Sequence, residues 1–170
     1  YDMRDIINTI ADVGSVLEIR KDFAVGIITC FIRIEGRAMG VIANNPHHLA
    51  GAIDSDGADK GARFIQLCDA FDIPILSLID CPGMMVGPEV EATALVRHCV
   101  RMFNAGANLT TPLFSAVVRK AYGLGAQAMC GAGALVGFFT VAWPTAEFAG
   151  MNIEGAVKLG YRKELMAIED

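Results

Sequence analysis

Two short stretches carry the residue types best suited to chemistry. The first reads Arg119-Lys120-Ala121-Tyr122-Gly123-Leu124-Gly125-Ala126-Gln127-Ala128-Met129 and joins an apolar, strand-like run to a helix of small residues. Backbone N–H groups at a helix N-terminus lack acceptors and carry partial positive charge, so they can hold a phosphate or an oxyanion. Glycine lets a ligand approach the main chain and permits positive φ. Three readings compete here. Residues 123–128 fit G-x-G-x-x-A with Glu147 about 20 positions on, the outline of a dinucleotide loop, although four residues stand between the expected strand end and Gly123. An oxyanion hole of main-chain donors fits as well, and it needs no particular side chain. A tight helix–sheet contact without a ligand is the third.

The second stretch is Leu78-Ile79-Asp80-Cys81-Pro82-Gly83-Met84-Met85-Val86-Gly87, expected at the carboxyl end of a buried strand, where open α/β sheets bind ligands. Asp80 reads as an acid, a base or the cap of the next turn. Cys81 has no base near it in sequence and reads as an inert thiol. His47-His48 falls in a turn after Pro46, and His98 lies mid-helix on a face expected to be exposed. HExxH, GxSxG and paired-carboxylate spacings do not occur, and no metal site is expected. Chemistry run by backbone dipoles and a cofactor is favoured over a side-chain dyad.

These stretches need elements to position them. Ile6, Ile7, Ile10 and Val13 predict a helix within residues 1–17. Two β-rich runs, 23–34 and 37–43, meet at Glu35-Gly36, a hairpin signal, and Asn44-Asn45-Pro46 stops the second. Asp54-Ser55-Asp56 offers caps for a helix through Phe71. Strands follow over 73–79, 113–118 and 135–142, and helices over 88–105, from Gly123 and over 154–169. Continuous apolar strands alternating with helices imply a parallel α/β sheet covered on both faces, in one domain.

Composition narrows the partners. The chain has 170 residues, 54% of them hydrophobic and 19% charged, with a net charge of −5. With its 18 glycines the apolar share reaches about two-thirds, above the usual half. Disorder is excluded, and nucleic acid or an anionic membrane surface would need a basic footprint. Residues 121–146 carry no charge, but their glycines and Trp143-Pro144 divide them into short elements rather than a membrane span. The five cysteines are scattered with no CxxC pair, which fits free thiols in the cytoplasm or the mitochondrial matrix.

Six blocks in order, YDMRDII, EGRAMGVIANNP, DKGARFIQLCDAFDIPILSLIDCPG, VRHCVRMFNAGANLTTPLFSAVVRKAYG, AWPTAEFAGM and EGAVKLGYRKEL, resemble the C-terminal half of the carboxyltransferase of biotin-dependent acyl-CoA carboxylases. The resemblance spans essentially the whole chain. It implies a crotonase-like (ClpP/crotonase) fold of ββα units, with residues 1–170 as one carboxyltransferase C-terminal domain. An N-terminal half that binds most of the CoA, and a C-terminal extension, would lie outside it. It further implies transfer of a carboxyl group from carboxybiotin on a carrier domain to the α-carbon of an acyl-CoA thioester. The expected partners are the N-terminal carboxyltransferase half, a biotin carboxylase or biotin carrier subunit, and further copies in a dimer-based homo-oligomer, up to a hexamer.

Carried over residue by residue, the N–H groups of Leu124 and Gly125 would stabilise the biotin ureido oxygen, beside Tyr122, Gly123 and Ala126. Asn44, Asn45, Pro46, Pro82, Gly83, Met84 and Gln127 would line the substrate cavity, with Arg119 and Lys120 as candidates for attracting a carboxylate or CoA phosphates. The family often reads Tyr-Gly-Gly-Ala-Tyr-Asp where this chain has Tyr122-Gly123-Leu124-Gly125-Ala126-Gln127, so Gln127 replaces an aspartate that helps set acyl preference. Met84-Met85, Glu89-Val90-Glu91 and Asn152-Ile153 also depart from the common pattern. A non-catalytic assembly half of a carboxylase or a biotin-dependent decarboxylase is the alternative.

Overall fold

The computed structural model describes residues 1–168 except 134 and 136. The chain begins with helix α1 (Met3–Ile10), capped by the Asp2 carboxylate, which accepts from the Arg4 N–H at 2.9 Å. The predicted longer helix stops there, and β1 (Leu17–Ile19) takes up its tail as an edge strand. The hairpin forms as its turn chemistry predicts: β2 (Ile27–Ile34) and β3 (Arg37–Asn44) pair antiparallel in register from Ile34–Arg37 to Ile27–Asn44. Helix α2 (Ser55–Ala70) starts at Asp54, whose side chain accepts from the Gly57 N–H at 2.7 Å.

Then come β4 (Ile75–Cys81), a short α3 (Pro88–Glu91), α4 (Leu95–Ala107), β5 (Leu113–Tyr122) and α5 (Gly123–Met129). The single helix predicted over 88–105 is broken because Ala94 takes a left-handed conformation, φ 57°. The carboxyl end of the chain holds β6 (Phe139–Ala142), β7 (Glu147–Ala149), α6 (Ile153–Gly160) and α7 (Arg162–Met166), so the one terminal helix expected is two, with a break at Tyr161.

The strands form one sheet in the order β1-β2-β3-β4-β5-β6, with β3 to β6 parallel and β7 continuing along the outer edge of β5. Alternate side chains of each strand fall on opposite faces. Ile27, Ile42, Ile75 and Ile79 pack with Phe64, Ile65, Met102 and Met129 from the helices on one side. Ile28, Ile32, Val41 and Leu78 pack with Met3 and Ile7 of α1 on the other. Burial on both faces explains the uninterrupted apolar strands. No described helix is long and apolar enough to cross a membrane.

Candidate active site at the carboxyl ends of β4 and β5

Strand β5 runs four residues further than its apolar pattern predicts and ends at Tyr122, so Gly123 follows it directly. The spacing objection to a dinucleotide loop therefore disappears, and another observation must decide. Gly123 turns strand into helix with φ +54°, and a Cβ there would stand 2.8 Å from the Gly150 carbonyl oxygen. The left-handed angle favours glycine, and the close approach of the Gly150 carbonyl leaves no room for a side chain. In α5 the N–H groups of Gly123, Leu124 and Gly125 precede the first intrahelical acceptor, and they point out of the helix at its positive end.

Gly125 is buried for a different reason. A Cβ on it would lie 2.6 Å from Cys81 Sγ and from the Gly83 carbonyl carbon. The two stretches singled out in the sequence are thus pressed together, backbone against backbone. Leu124, between the two glycines, turns its side chain to solvent. On the opposite face of α5, Gly123, Ala126 and Gln127 border an open cavity of about 410 Å³ whose far wall includes Thr140 and Phe148. Strands β6 and β7 supply that wall. Strand β7 pairs Tyr122 with Ala149, and the buried Tyr122 hydroxyl donates to the Glu147 carboxylate. Three residues carry too little periodicity to be read as a strand, and the sequence reading missed β7.

Asp80 is neither a free base nor a cap. It is fully buried and accepts from Arg119 Nε at 3.0 and 3.2 Å, from the Lys120 N–H at 3.2 Å and from the Tyr1 hydroxyl at 2.6 Å. A register shift between Ile79 and Cys81 makes this possible, because the extra residues of β5 bulge towards the carboxylate. The bond to Asp80 raises the Arg119 pKa further, and the guanidinium lies 5.7 Å above the Tyr1 ring. Arg119 is therefore engaged within the fold.

The other expected substrate residues are placed variously. Asn44 is fully buried; its Nδ2 donates to the Gly51 carbonyl at 3.0 Å and its Oδ1 accepts from the Asp80 N–H at 3.2 Å. Asn45 Nδ2 donates to the Val25 carbonyl at 2.8 Å, and Asn45 Oδ1 accepts from the His47 N–H at 3.2 Å. Both amides brace the loop after β3, leaving Pro46 as its half-buried corner. Pro82, Gly83 and Met84 are half-buried beside α5, where Ile53 N–H donates to Gly83 O at 3.1 Å and Met84 Sδ accepts from Cys99 Sγ at 3.1 Å. Burial pushes the Cys81 thiol up to about 12, so it is no nucleophile near neutrality. His98, expected on an exposed face, is half-buried with Nδ1 2.9 Å from the Asp59 carboxylate, which also takes Arg101. Among the described residues no group of three His, Cys, Asp or Glu side chains could hold a metal.

All of residues 1–170 match the carboxyl transferase domain. The chain belongs to this family. It is 47% identical over 97% of its length to the propionyl-CoA carboxylase beta chain of Cereibacter sphaeroides, and 40% identical over its full length to the methylmalonyl-CoA carboxyltransferase 12S subunit of Propionibacterium freudenreichii subsp. shermanii. It covers 32% of each, about a third of these relatives. A single-chain, multi-domain long-chain acyl-CoA carboxylase superposes with a TM-score of 0.93 at 52% identity, over 97% of this chain and 18% of that one. The transcarboxylase 12S structure, a hexamer assembly with methylmalonyl-CoA bound, gives 0.91 at 39%, over 100% and 32%. The carboxyltransferase domains share the crotonase-like fold, and the order of strands and helices seen here is an instance of it. Membership decides against the dinucleotide reading of the glycine turn.

Proposed function

We propose that this chain is the part of an acyl-CoA carboxyltransferase that holds biotin while an acyl-CoA thioester is carboxylated at its α-carbon. The observation that carries the reading is the strand-to-helix turn at Gly123, with the Leu124 and Gly125 N–H groups free of helical acceptors at its end. These residues fit a ureido oxygen: the donors are main-chain and fixed, and Leu124 stands between two glycines. Biotin, when bound, supplies the carboxyl group and the base that takes the α-proton.

The chain's own residues supply position and field. Donors already aimed at an oxygen that gains negative charge stabilise it without reorganising during the reaction. Gly125 against Gly83 sets the height of α5 above β4, and Asp80 bound to Arg119 and Lys120 fixes β5 relative to β4. The cavity beside Gln127 and Phe148 would receive the acyl group, with the CoA portion held largely by the remainder of the protein. Relatives named for propionyl-CoA, methylmalonyl-CoA and long-chain acyl-CoA bracket the substrate class. The five free, buried cysteines fit a reducing compartment, the cytoplasm of a bacterium or the mitochondrial matrix.

The test uses the chain joined to its N-terminal carboxyltransferase half, with free biotin, and follows decarboxylation of malonyl-CoA and methylmalonyl-CoA. Leu124→Pro removes one donor in the first helical turn, where no intrahelical bond is lost. Activity should fall about 10²–10³-fold, or about 2.7–4 kcal/mol. Leu124→Ala, which keeps the N–H, should retain activity. Equal rates for both variants, each folded by circular dichroism, reject the donor assignment. Absence of biotin-dependent turnover in the unaltered pair would leave only the assembly role.

A further inference from the structure

A second polar cavity lies away from α5, between β1, β2 and α2, and shares no residue with the one beside Gln127. Its volume is about 340 Å³, roughly ten times the share of one molecule in liquid water, about 30 Å³. Three cations line it: Arg20 from the end of β1, and Lys60 and Arg63 from successive turns of α2. Lys60 is 1% exposed. Its ammonium donates to the Phe23 carbonyl at 2.8 Å and reaches the Ala24 carbonyl at 3.4 Å, which uses two of its three protons.

No carboxylate among the described residues pairs with any of the three. Glu18 is the acidic group that acts on Lys60, and both its oxygens are already taken by Arg4, at 2.9 and 2.7 Å. Burial lowers the Lys60 pKa to about 8, Glu18 opposes that fall, and Arg4 and Arg20 add to it. Like charges one turn apart on a helix repel, and a buried ammonium without a counter-ion is costly. A lysine kept merely to brace the 23–24 turn explains the two carbonyl bonds. It does not explain two unpaired arginines facing the same cavity. Arg20 ends β1 in a left-handed conformation, φ 53°. On the remaining wall Ile19, Phe64 and Leu67 offer an apolar flank.

We propose that this cavity is a binding site for a tetrahedral oxyanion, a phosphate group, held by Arg20, Lys60 and Arg63. The charge is compensated by the ligand rather than by the protein, and the apolar flank suits a phosphate carried as an ester.

The test is equilibrium dialysis of this chain against inorganic phosphate and, separately, phenyl phosphate, with chloride holding the ionic strength constant. One saturable equivalent per chain is expected. Arg20→Asn combined with Arg63→Ser should weaken it at least tenfold; both side chains are exposed, and asparagine tolerates the backbone at position 20. Lys60→Met should weaken it similarly where it folds. Tighter binding of phenyl phosphate marks an ester as the ligand, and equal binding marks the free ion. Absence of saturable binding at millimolar phosphate, or binding untouched by the double arginine variant, overturns the proposal.

Discussion

The two glycines of the turn do different work, and the difference fixes what each substitution should do. Gly123 is needed for its backbone angle and for the Gly150 carbonyl 2.8 Å from where a Cβ would sit. Gly125 is needed for space alone. In Gly125→Ala the new methyl would meet Cys81 Sγ and the Gly83 backbone at 2.6 Å, and the backbone cannot rotate away as a side chain can. We expect a loss of about 1–3 kcal/mol, the usual cost of overpacking, read as a lower urea midpoint with an unchanged slope. In the chain joined to its N-terminal half, the biotin-dependent turnover proposed above should fall further than stability accounts for, since the proposed donors move with α5. A variant as stable and active as the parent would show that Gly125 is not a fixed contact. The sequence pointed to both glycines as candidates for ligand approach. It held no sign that Gly125 faces Cys81, because that contact joins segments more than 40 residues apart.

At the scale of elements, the ends of β4 and β5 are bolted together by Asp80. Arg119→Ala would leave a fully buried carboxylate with only the Lys120 N–H and the Tyr1 hydroxyl. Breaking a buried pair from one side typically costs about 3–5 kcal/mol, and the half-exposed guanidinium places this case at the lower end. Thermal unfolding of the variant should show that drop; a change within error would mean that the other two donors suffice. A second clasp joins the end of α2 to the loop before β5. Asp69 accepts from Thr110 N–H at 2.8 Å, Thr110 Oγ1 at 2.9 Å and Thr111 N–H at 3.1 Å. The Thr110 backbone bond leads in holding its carboxyl below the ordinary value. A lowered folded-state pKa gives stability that is present above the unfolded value, near 3.9, and lost as pH falls through the folded value. Asp69→Asn should therefore be less stable than the parent by about 1 kcal/mol at pH 7, with the gap closing below about pH 4. A gap independent of pH would assign the loss to packing. Both clasps were hidden in the sequence, since each carboxylate and its partners lie about 40 positions or more apart. The β2–β3 hairpin and the start of α2 were legible because turn and cap chemistry is local. The break at Ala94 was not: alanine gives no hint of a left-handed backbone.

For the whole molecule, the surplus of apolar residues is only partly consumed by the core. The charge-free segment 121–146 divides at the helix end: Ala121, Ala126, Met129 and Cys130 are buried, whereas Leu135, Phe138, Phe139 and Val141 are exposed. The strand expected to be buried over 135–142 is thus shorter and open on its outer side. Phe148 of β7, Ile153 and Leu159 of α6, Tyr161, and Met166 of α7 are exposed as well. So many large apolar side chains left exposed in one part of the chain are expected where it meets another protein surface. The relatives are about three times as long, and one is a hexamer assembly, so such a surface has candidates to cover it. We expect this chain alone to sediment above its monomer mass of 18.1 kDa at tens of micromolar. Phe138→Ser combined with Leu159→Ser removes two side chains that are 73% and 72% exposed and should shift the distribution towards monomer, with a stability loss of only about 1 kcal/mol from the Phe138 ring contacts to Phe114 and Phe139. Val13→Ser, at a fully exposed position outside this region, should leave the distribution unchanged. If the parent sediments as a single 18.1 kDa species, the apolar surface is not driving association. If Val13→Ser acts as strongly as the double variant, the association is general hydrophobic collapse rather than a property of the exposed apolar residues after α5.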